Sequence, residues 1–394
     1  MLDLNQVQRQ FKQHFPDNGS PLFFSAPGRT ELAGNHCDHQ GGHVIAAAID
    51  LSIAAAVAPN SLRQIRLYSS NFSPCILPLT EFSPIKAEAG TPVSLIRGIL
   101  AQFETMGCTL YGLDLCVCSQ VPVGGGLSSS AAFEILFAAI CNHFFCQDAL
   151  SPIQLAQIGQ KAENLYFGKP CGLMDQLSSS LGGILHMDFS NQQEPVIHSL
   201  PLPETFPYAL CVIDTGSQHQ LLTPQFSAIP HEMGEVCEYF GCSRLCQVPE
   251  NIFWQNLPAL RRQAGDRAIL RCVHFYQENH RVQQQVQALL QRDYTTFLQL
   301  VKESGKSSWM LLQNVIPEGA VQFQPLALAL TLCQELLHGK GAYRIHGGGF
   351  AGMVQAYVPW TLLPAFTSGM EAVFGPGCVY PLKIRKEGGQ EERR

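Results

Sequence analysis

A run of three glycines and three serines, VPVGGGLSSSAAFEI at residues 121–135, separates an alternating apolar segment from a longer continuous one. Residues 111–121 put Leu113, Leu115 and Val117 on one face at the period of a strand, and residues 131–145 have helical length and spacing. A strand entering a helix through three glycines lets a ligand approach the backbone closely, and the helix start offers unpaired N–H groups at the positive end of its dipole. That is suitable geometry for a di- or triphosphate. The segment lacks the terminal Gly-Lys-Ser/Thr of a Walker loop and the spaced glycines of a dinucleotide fold, and a serine-capped strand–helix turn is the plain alternative. Further glycine clusters at residues 41–42, 182–183 and 347–349 weigh against that alternative.

The rest of the chain reads as alternating helices and strands. Residues 5–15 predict an amphipathic helix, and residues 23–28, ending in Pro-Gly, a strand entering a turn. The nearly unbroken apolar stretch 44–58 predicts a strand covered on both faces. Residues 152–167 predict a helix capped by Ser151, with Pro152 in its first position. From Tyr208 the pattern restarts with a strand, helical stretches at 230–240, 257–291, 293–306 and 325–337, and, after residues 342–346 and a glycine cluster, a strand at 351–358. The charged tail, 383–394, is expected to fray.

At 394 residues, 46% hydrophobic and 14% charged, the chain has enough apolar material for one or two cores, and its length suggests two domains. A net charge of −6 argues against nucleic acid as a partner. The first twenty residues do not read as a secretory signal, and the apolar stretch 131–145, interrupted by Glu134, is short of the about 20 residues that span a bilayer. The expectation is a cytoplasmic protein with no membrane partner, monomeric by default because coiled-coil heptads are lacking. The fifteen cysteines are scattered without metal-like spacing and read mostly as buried thiols.

PVGGGLSSSAA resembles the phosphate loop of the GHMP kinases, and RIHGGGFAGMVQAYVP, residues 344–359, resembles their third motif. GRTELAGNHCDHQGG, residues 28–42, and AENLYFGKPCGLMDQLSSSLGG, residues 162–183, are similar to signatures of the galactokinase branch. The resemblance covers the chain up to its tail. It implies an α/β (α+β) two-domain fold, with a ribosomal protein S5 domain 2-like domain over residues 1–187, a ferredoxin-like domain over 188–382 and a tail over 383–394. The active site would lie between the domains, and the last strand would close the first of them.

The activity implied is ATP-dependent phosphorylation of the anomeric C1 hydroxyl of D-galactose. Phosphoryl transfer asks a protein mainly to position two oxygens and stabilise the moving charge. By resemblance, Asp175 faces the C1 hydroxyl, as base or electrostatic support, and Arg29 holds Asp175 ionised and steadies the γ-phosphate. Asn35, His36, Asp38, Gly172 and Phe226 join Asp175 around the sugar. Val123, Gly124, Gly125, Gly126, Leu127, Ser128, Ser129 and Ser130 hold ATP, while Ser130 and Glu163 supply oxygens to Mg²⁺. Cys171 is read as packing.

The chain departs from the branch mainly in the sugar pocket. Asn35 stands where galactokinases carry Glu, His39 replaces a Tyr, and Phe226 falls at a sugar-contacting Tyr, with Ile229 and Pro230 at two arginines. A carboxylate at position 35 would repel a C6 carboxylate by about 4 kcal/mol at ~4 Å and an effective dielectric of ~20, roughly a thousandfold. An amide removes that repulsion, so galacturonate is a rival substrate. A non-catalytic sensor of galactose and ATP is the alternative of another class.

Overall fold

The computed structural model describes residues 4–69, 72–122, 124–191, 194–202, 205–217 and 222–392. In chain order the first elements are helix α1 (Leu4–His14), strands β1 (Leu22–Ala33), β2 (His43–Asn60), β3 (Gln64–Ser69) and β4 (Cys75–Pro78), helix α2 (Pro92–Thr105) and strand β5 (Gly112–Ser119). Helices α3 (Ser129–Cys146), α4 (Pro152–Ala162) and α5 (Met174–Leu181) follow, then strands β6 (Ile184–Asp188), β7 (Val196–Leu200) and β8 (Tyr208–Asp214). The remainder comprises α6 (Thr223–Tyr239), α7 (Glu250–Gln255), α8 (Leu257–Leu290), α9 (Tyr294–Ser307), α10 (Pro325–Leu337), β9 (Ala342–Ile345), β10 (Met353–Pro359), α11 (Leu363–Phe374), β11 (Val379–Leu382) and β12 (Gln390–Glu391).

Eight strands form one sheet, ordered β12-β1-β2-β5-β3-β4, with β6 on β2 and β7 beside β6. A second sheet runs β11-β8-β10-β9. Strand β2 explains its own composition: Ala54, Ala56 and Ala58 meet Val7, Phe11 and Phe15 at α1, while Ala55 and Val57 face the core under α2 to α5. Small side chains on both faces let two helical layers close on one strand. In the second sheet, Cys211, Ile213, Val354 and Ala356 pack on α10 and α11, and Leu210, Val212 and Tyr357 join the main core.

Four local expectations are corrected. Strand β1 does not turn at Pro27-Gly28; it continues to Ala33 across a register shift between Pro27 and Arg29. A Cβ on Gly28 would lie 2.8 Å from the Leu127 carbonyl oxygen, which accepts the Arg29 N–H at 3.1 Å. The glycine-rich loop therefore holds the bulge in place, and the bulge re-aims Arg29. Helix α6 starts at Thr223 and runs through Pro230, which in a helix interior costs about 3 kcal/mol. Burial of Ile229, Met233 and Val236, at roughly 1.5–3 kcal/mol each, offsets that cost.

The helix expected over 152–167 is α-helical only to Ala162, and Glu163–Phe167 widens into a π-helical turn. The tail is packed through residue 392: Lys383 N donates to Asp50 Oδ1 at 2.9 Å, Arg385 Nη2 donates to Ser25 Oγ at 2.7 Å, and β12 pairs with β1. Arg385 and Glu392 form an ion pair at 3.0 Å.

Helix α3, at 18 residues, is long and apolar enough to cross a membrane by length and composition, beyond the sequence expectation, but 67% of it is buried inside the protein. It is the core helix beneath the first sheet. Cys108 and Cys146 are joined in a disulfide, and of thirteen free cysteines ten are buried, which suits their reading as small hydrophobes.

Candidate active site

The β1 bulge, the glycine-rich loop and the start of α5 converge on one carboxylate. Arg29 Nε donates to Asp175 Oδ1 at 2.7 Å and Arg29 Nη2 to Asp175 Oδ2 at 2.9 Å, a two-pronged pair with Arg29 buried and the Asp175 side chain 27% exposed. Arg29 Nη1 donates to the Gly126 carbonyl, and the Ser128 hydroxyl donates to Asp175 Oδ2. Burial pushes the Asp175 carboxyl up, but Arg29 and Ser128 outweigh it and hold it below the usual carboxylate range.

Ser128 precedes α3 at a φ of 59° and makes no capping hydrogen bond. Its hydroxyl is turned to Asp175, so no side chain of the loop caps the N-terminus of α3. Gly126, at a φ of 75°, takes the left-handed conformation that suits glycine, beside the carbonyl that Arg29 grips. Gly124, Gly125, Gly126, Leu127 and Ser128 lie in the loop, and Ser129 and Ser130 open α3. Val123 lies outside the described residues.

A second acidic cluster sits one turn into α3. Ser130 Oγ donates to Glu163 Oε1 at 3.0 Å, and Lys169 Nζ donates to the same oxygen at 3.0 Å. Gln176 Nε2 donates to Glu163 Oε2 at 2.8 Å and to Glu134 Oε2 at 2.9 Å. Burial, then the nearby charge of Glu163, raises the Glu134 carboxyl well above its usual range. The π-helical turn aims Glu163 inward, where it is 2% exposed. A hydroxyl and a carboxylate side by side, with an ammonium group on the carboxylate, are hard oxygen donors that suit Mg²⁺ when phosphate and water complete its shell. Among the described residues no group of three His, Cys, Asp or Glu forms a protein-only metal cage.

Asp38 meets Gly172 on the sugar-signature side. A Cβ on Gly172 would lie 2.1 Å from Asp38 Oδ2, so no side chain fits there without moving the carboxylate. Burial and the charge of Asp175 raise the Asp38 carboxyl to about 6 against the opposing pull of Arg29 and backbone N–H groups. Asp175, Asp38 and Gly172 are thus brought together.

His36, Asn35 and Phe226 turn elsewhere, toward the third glycine cluster. His36 Nε2 lies 3.0 Å from the Gly348 carbonyl oxygen and its Nδ1 lies 3.3 Å from His39 Nε2. Burial keeps both rings neutral, with His39 pushed down to about 3. His36 then donates from Nε2 to Gly348 and accepts at Nδ1 from His39. Phe226 packs edge-on to Phe350 at 5.5 Å, and a Cβ on Gly348 would lie 2.6 Å from its ring. Asn35 is 1% exposed, and both its N–H groups and its carbonyl oxygen have protein partners.

Sequence reasoning missed Glu31, Glu134, Lys169, Gln176, Asn314 and Arg344. A signal existed for Glu134, an acid inside an apolar helix, and for Gln176, which follows Asp175 in the recognised motif. Cys171 lies 3.7 Å from Gln176 Nε2, and burial together with Glu163 drives its thiol far up, as packing would require.

Residues 9–59 match the galactokinase galactose-binding signature, and residues 94–183 match the GHMP kinases N terminal domain. Among solved structures, Lactococcus lactis galactokinase complexed with galactose shares the fold at a TM-score of 0.83 and 22% identity, covering 99% of this chain and 100% of that one. A mevalonate kinase does so at 0.66 and 16% identity, covering 93% of this chain and 100% of that one. The matched N-terminal domain and these neighbours give the chain the GHMP kinase fold.

Within that class, the galactokinase of Glaesserella parasuis serovar 5 (strain SH0165) is 30% identical over 358 residues, spanning 89% of this chain and 88% of its own. That of Actinobacillus pleuropneumoniae serotype 3 (strain JL03) is 29% identical over 356 residues, with the same shares. The chain belongs to the galactokinase family.

Proposed function

We propose that the protein is an ATP-dependent sugar kinase that phosphorylates the anomeric C1 hydroxyl of D-galactose, giving galactose 1-phosphate and ADP. The observation that carries this reading is the Arg29–Asp175 pair, which couples the sugar signature to the glycine loop through Ser128 and Gly126. Asp175 orients the C1 hydroxyl and receives its proton late, because a carboxyl held below its usual range is a weak base and loose phosphoryl transfer needs little early deprotonation.

Arg29 keeps Asp175 ionised and faces the transferred group with a fixed charge. Residues 123–130 cradle the ATP phosphates, and Asp38 accepts from sugar hydroxyls, with Gly172 leaving it room. Ser130 and Glu163 would hold Mg²⁺, which when bound offsets the negative charge of the phosphates. Galactose is favoured over galacturonate because the Asn35 amide is already committed and the Glu31 carboxylate lies 3.2 Å from it, so position 35 offers no open, acid-free amide to a C6 carboxylate. The site needs only small molecules as partners, in a cytoplasmic setting that supplies ATP.

The test is product analysis: with Mg-ATP and D-galactose, the new phosphorus resonance should couple to the anomeric proton. No turnover on any hexose would overturn the enzyme reading in favour of a sensor. A separate expectation concerns the metal. Glu163→Gln keeps the side-chain size but removes the charge and turns one acceptor oxygen into a donor, so the Mg²⁺ concentration giving half-maximal rate should rise about tenfold or more. An unchanged Mg²⁺ titration would remove Glu163 from the metal site.

A further inference from the structure

Asn35 and Glu31 lie four residues apart, yet their side chains meet. Gly34, at a φ of 92°, turns the chain back after β1, and a Cβ there would lie 2.5 Å from the His43 carbonyl oxygen. The turn brings Asn35 Nδ2 to 3.2 Å from Glu31 Oε1 and to 2.6 Å from the Gly347 carbonyl oxygen. Asn314 Nδ2 donates to Asn35 Oδ1 at 3.0 Å and to the Gly348 carbonyl oxygen at 3.1 Å, and Ser308 Oγ approaches Asn35 Oδ1 at 3.5 Å. His274 Nε2 lies 3.0 Å from the Asn35 backbone oxygen. Arg344 pairs with Glu31 and donates to the Leu32 carbonyl oxygen at 3.1 Å.

An asparagine amide has two N–H donors and one oxygen with two lone pairs, and every one of them is engaged here. Those bonds hold the Gly347 and Gly348 carbonyls, of which the second orients His36, and the Gly348 face on which Phe226 lies.

We propose that Glu31 and Asn35 are one positioning unit, in which the carboxylate that the branch carries at position 35 is relocated to position 31. The amide at 35 serves as a latch that fixes the Gly347–Gly348 carbonyls, and through them His36 and Phe226, beside the sugar. This deepens the proposed function and rests on it. Asn35 does not itself read the C6 substituent. In Asn35→Glu a carboxylate, which only accepts, would face the Glu31 carboxylate and the Gly347 carbonyl with no donor between them. Adding Glu31→Asn returns one amide and one acid to the same pocket, beside the same Arg344.

The experiment compares wild type, Glu31→Asn, Asn35→Glu and the double exchange by thermal melting and by KM for D-galactose and for Mg-ATP. Each single variant is expected to raise the galactose KM about tenfold and lower the melting midpoint by about 3 °C or more, with the ATP KM within about twofold. The double exchange is expected to bring both back toward wild type, which two unrelated structural lesions would not do. A double variant no better than the worse single, or an Asn35→Glu protein with unchanged galactose KM and melting, overturns the proposal. If a single variant does not fold, folding of the double exchange still supports the unit and its failure to fold overturns it. If wild type does not turn over galactose, the function above fails, and the melting comparison alone decides the pair.

Discussion

Asp175→Asn is expected to lower kcat on galactose by about a thousandfold while leaving the galactose KM within a few-fold. The expectation follows from counting lone pairs. An ionised carboxylate has roughly four acceptor positions. Arg29 Nε takes one on Oδ1, and Arg29 Nη2 and Ser128 take two on Oδ2, so one on Oδ1 is left for the substrate hydroxyl. An asparagine keeps the shape but loses the charge that steadies the departing proton. Steady-state ADP release, paired with calorimetric sugar binding, checks it, and a kcat within tenfold of wild type would remove Asp175 from the chemistry.

The second large effect is expected at Arg29. Arg29→Gln removes both prongs on Asp175 and the grip on the Gly126 carbonyl, so kcat should fall about a hundredfold or more. Arg29→Lys should recover little, since an ammonium group cannot make the forked contact.

The pH profile gives the sign. Arg29 lowers the pKa of both Asp175 and Asp38, opposing burial, so its removal raises both, and the acid limb of kcat/KM should move to higher pH. In wild type, Asp38, raised to about 6, is expected to lose its acceptor role as pH falls through that value. An acid limb that stays in place, or shifts downward, in Arg29→Gln would contradict the electrostatic role of the arginine.

Much of this site is written locally in the chain. Glycines between a strand and a helix, Ser130 in the first turn of α3, and Asp175 in a Met-Asp-Gln element are all set by short-range sequence, and local motifs are enough to find them. The bulge in β1 is not local. Pro27-Gly28 reads as a turn until the Leu127 carbonyl, a hundred residues away, accepts the Arg29 N–H and carries the strand on. Pro230 likewise reads as a helix start, and only the packing of α6 on α8 makes an interior proline tolerable.

Asn35 illustrates the same limit. As a departure from a motif it reads as a change of substrate, because the motif says nothing of what lies beside it. Asn314, Gly347 and Arg344 come from the far end of the chain and Glu31 from across a left-handed turn, and together they turn an apparent sugar ligand into a latch. The tail reads as frayed for a comparable reason: the Lys383 backbone N–H reaches Asp50, and Arg385 reaches Ser25 and Glu392, only once β1 and β2 are assembled.

The central claim is tested most directly by kcat/KM of the wild-type protein with Mg-ATP on D-galactose, D-galacturonate and N-acetylgalactosamine, followed by ADP release. Galactose is predicted to lead, with galacturonate at least about a hundredfold behind, because the Asn35 amide is committed to protein partners and offers no open donor to a C6 carboxylate. A lead for galacturonate would contradict the account, and with it the assignment of Asn35 to the latch rather than to the sugar.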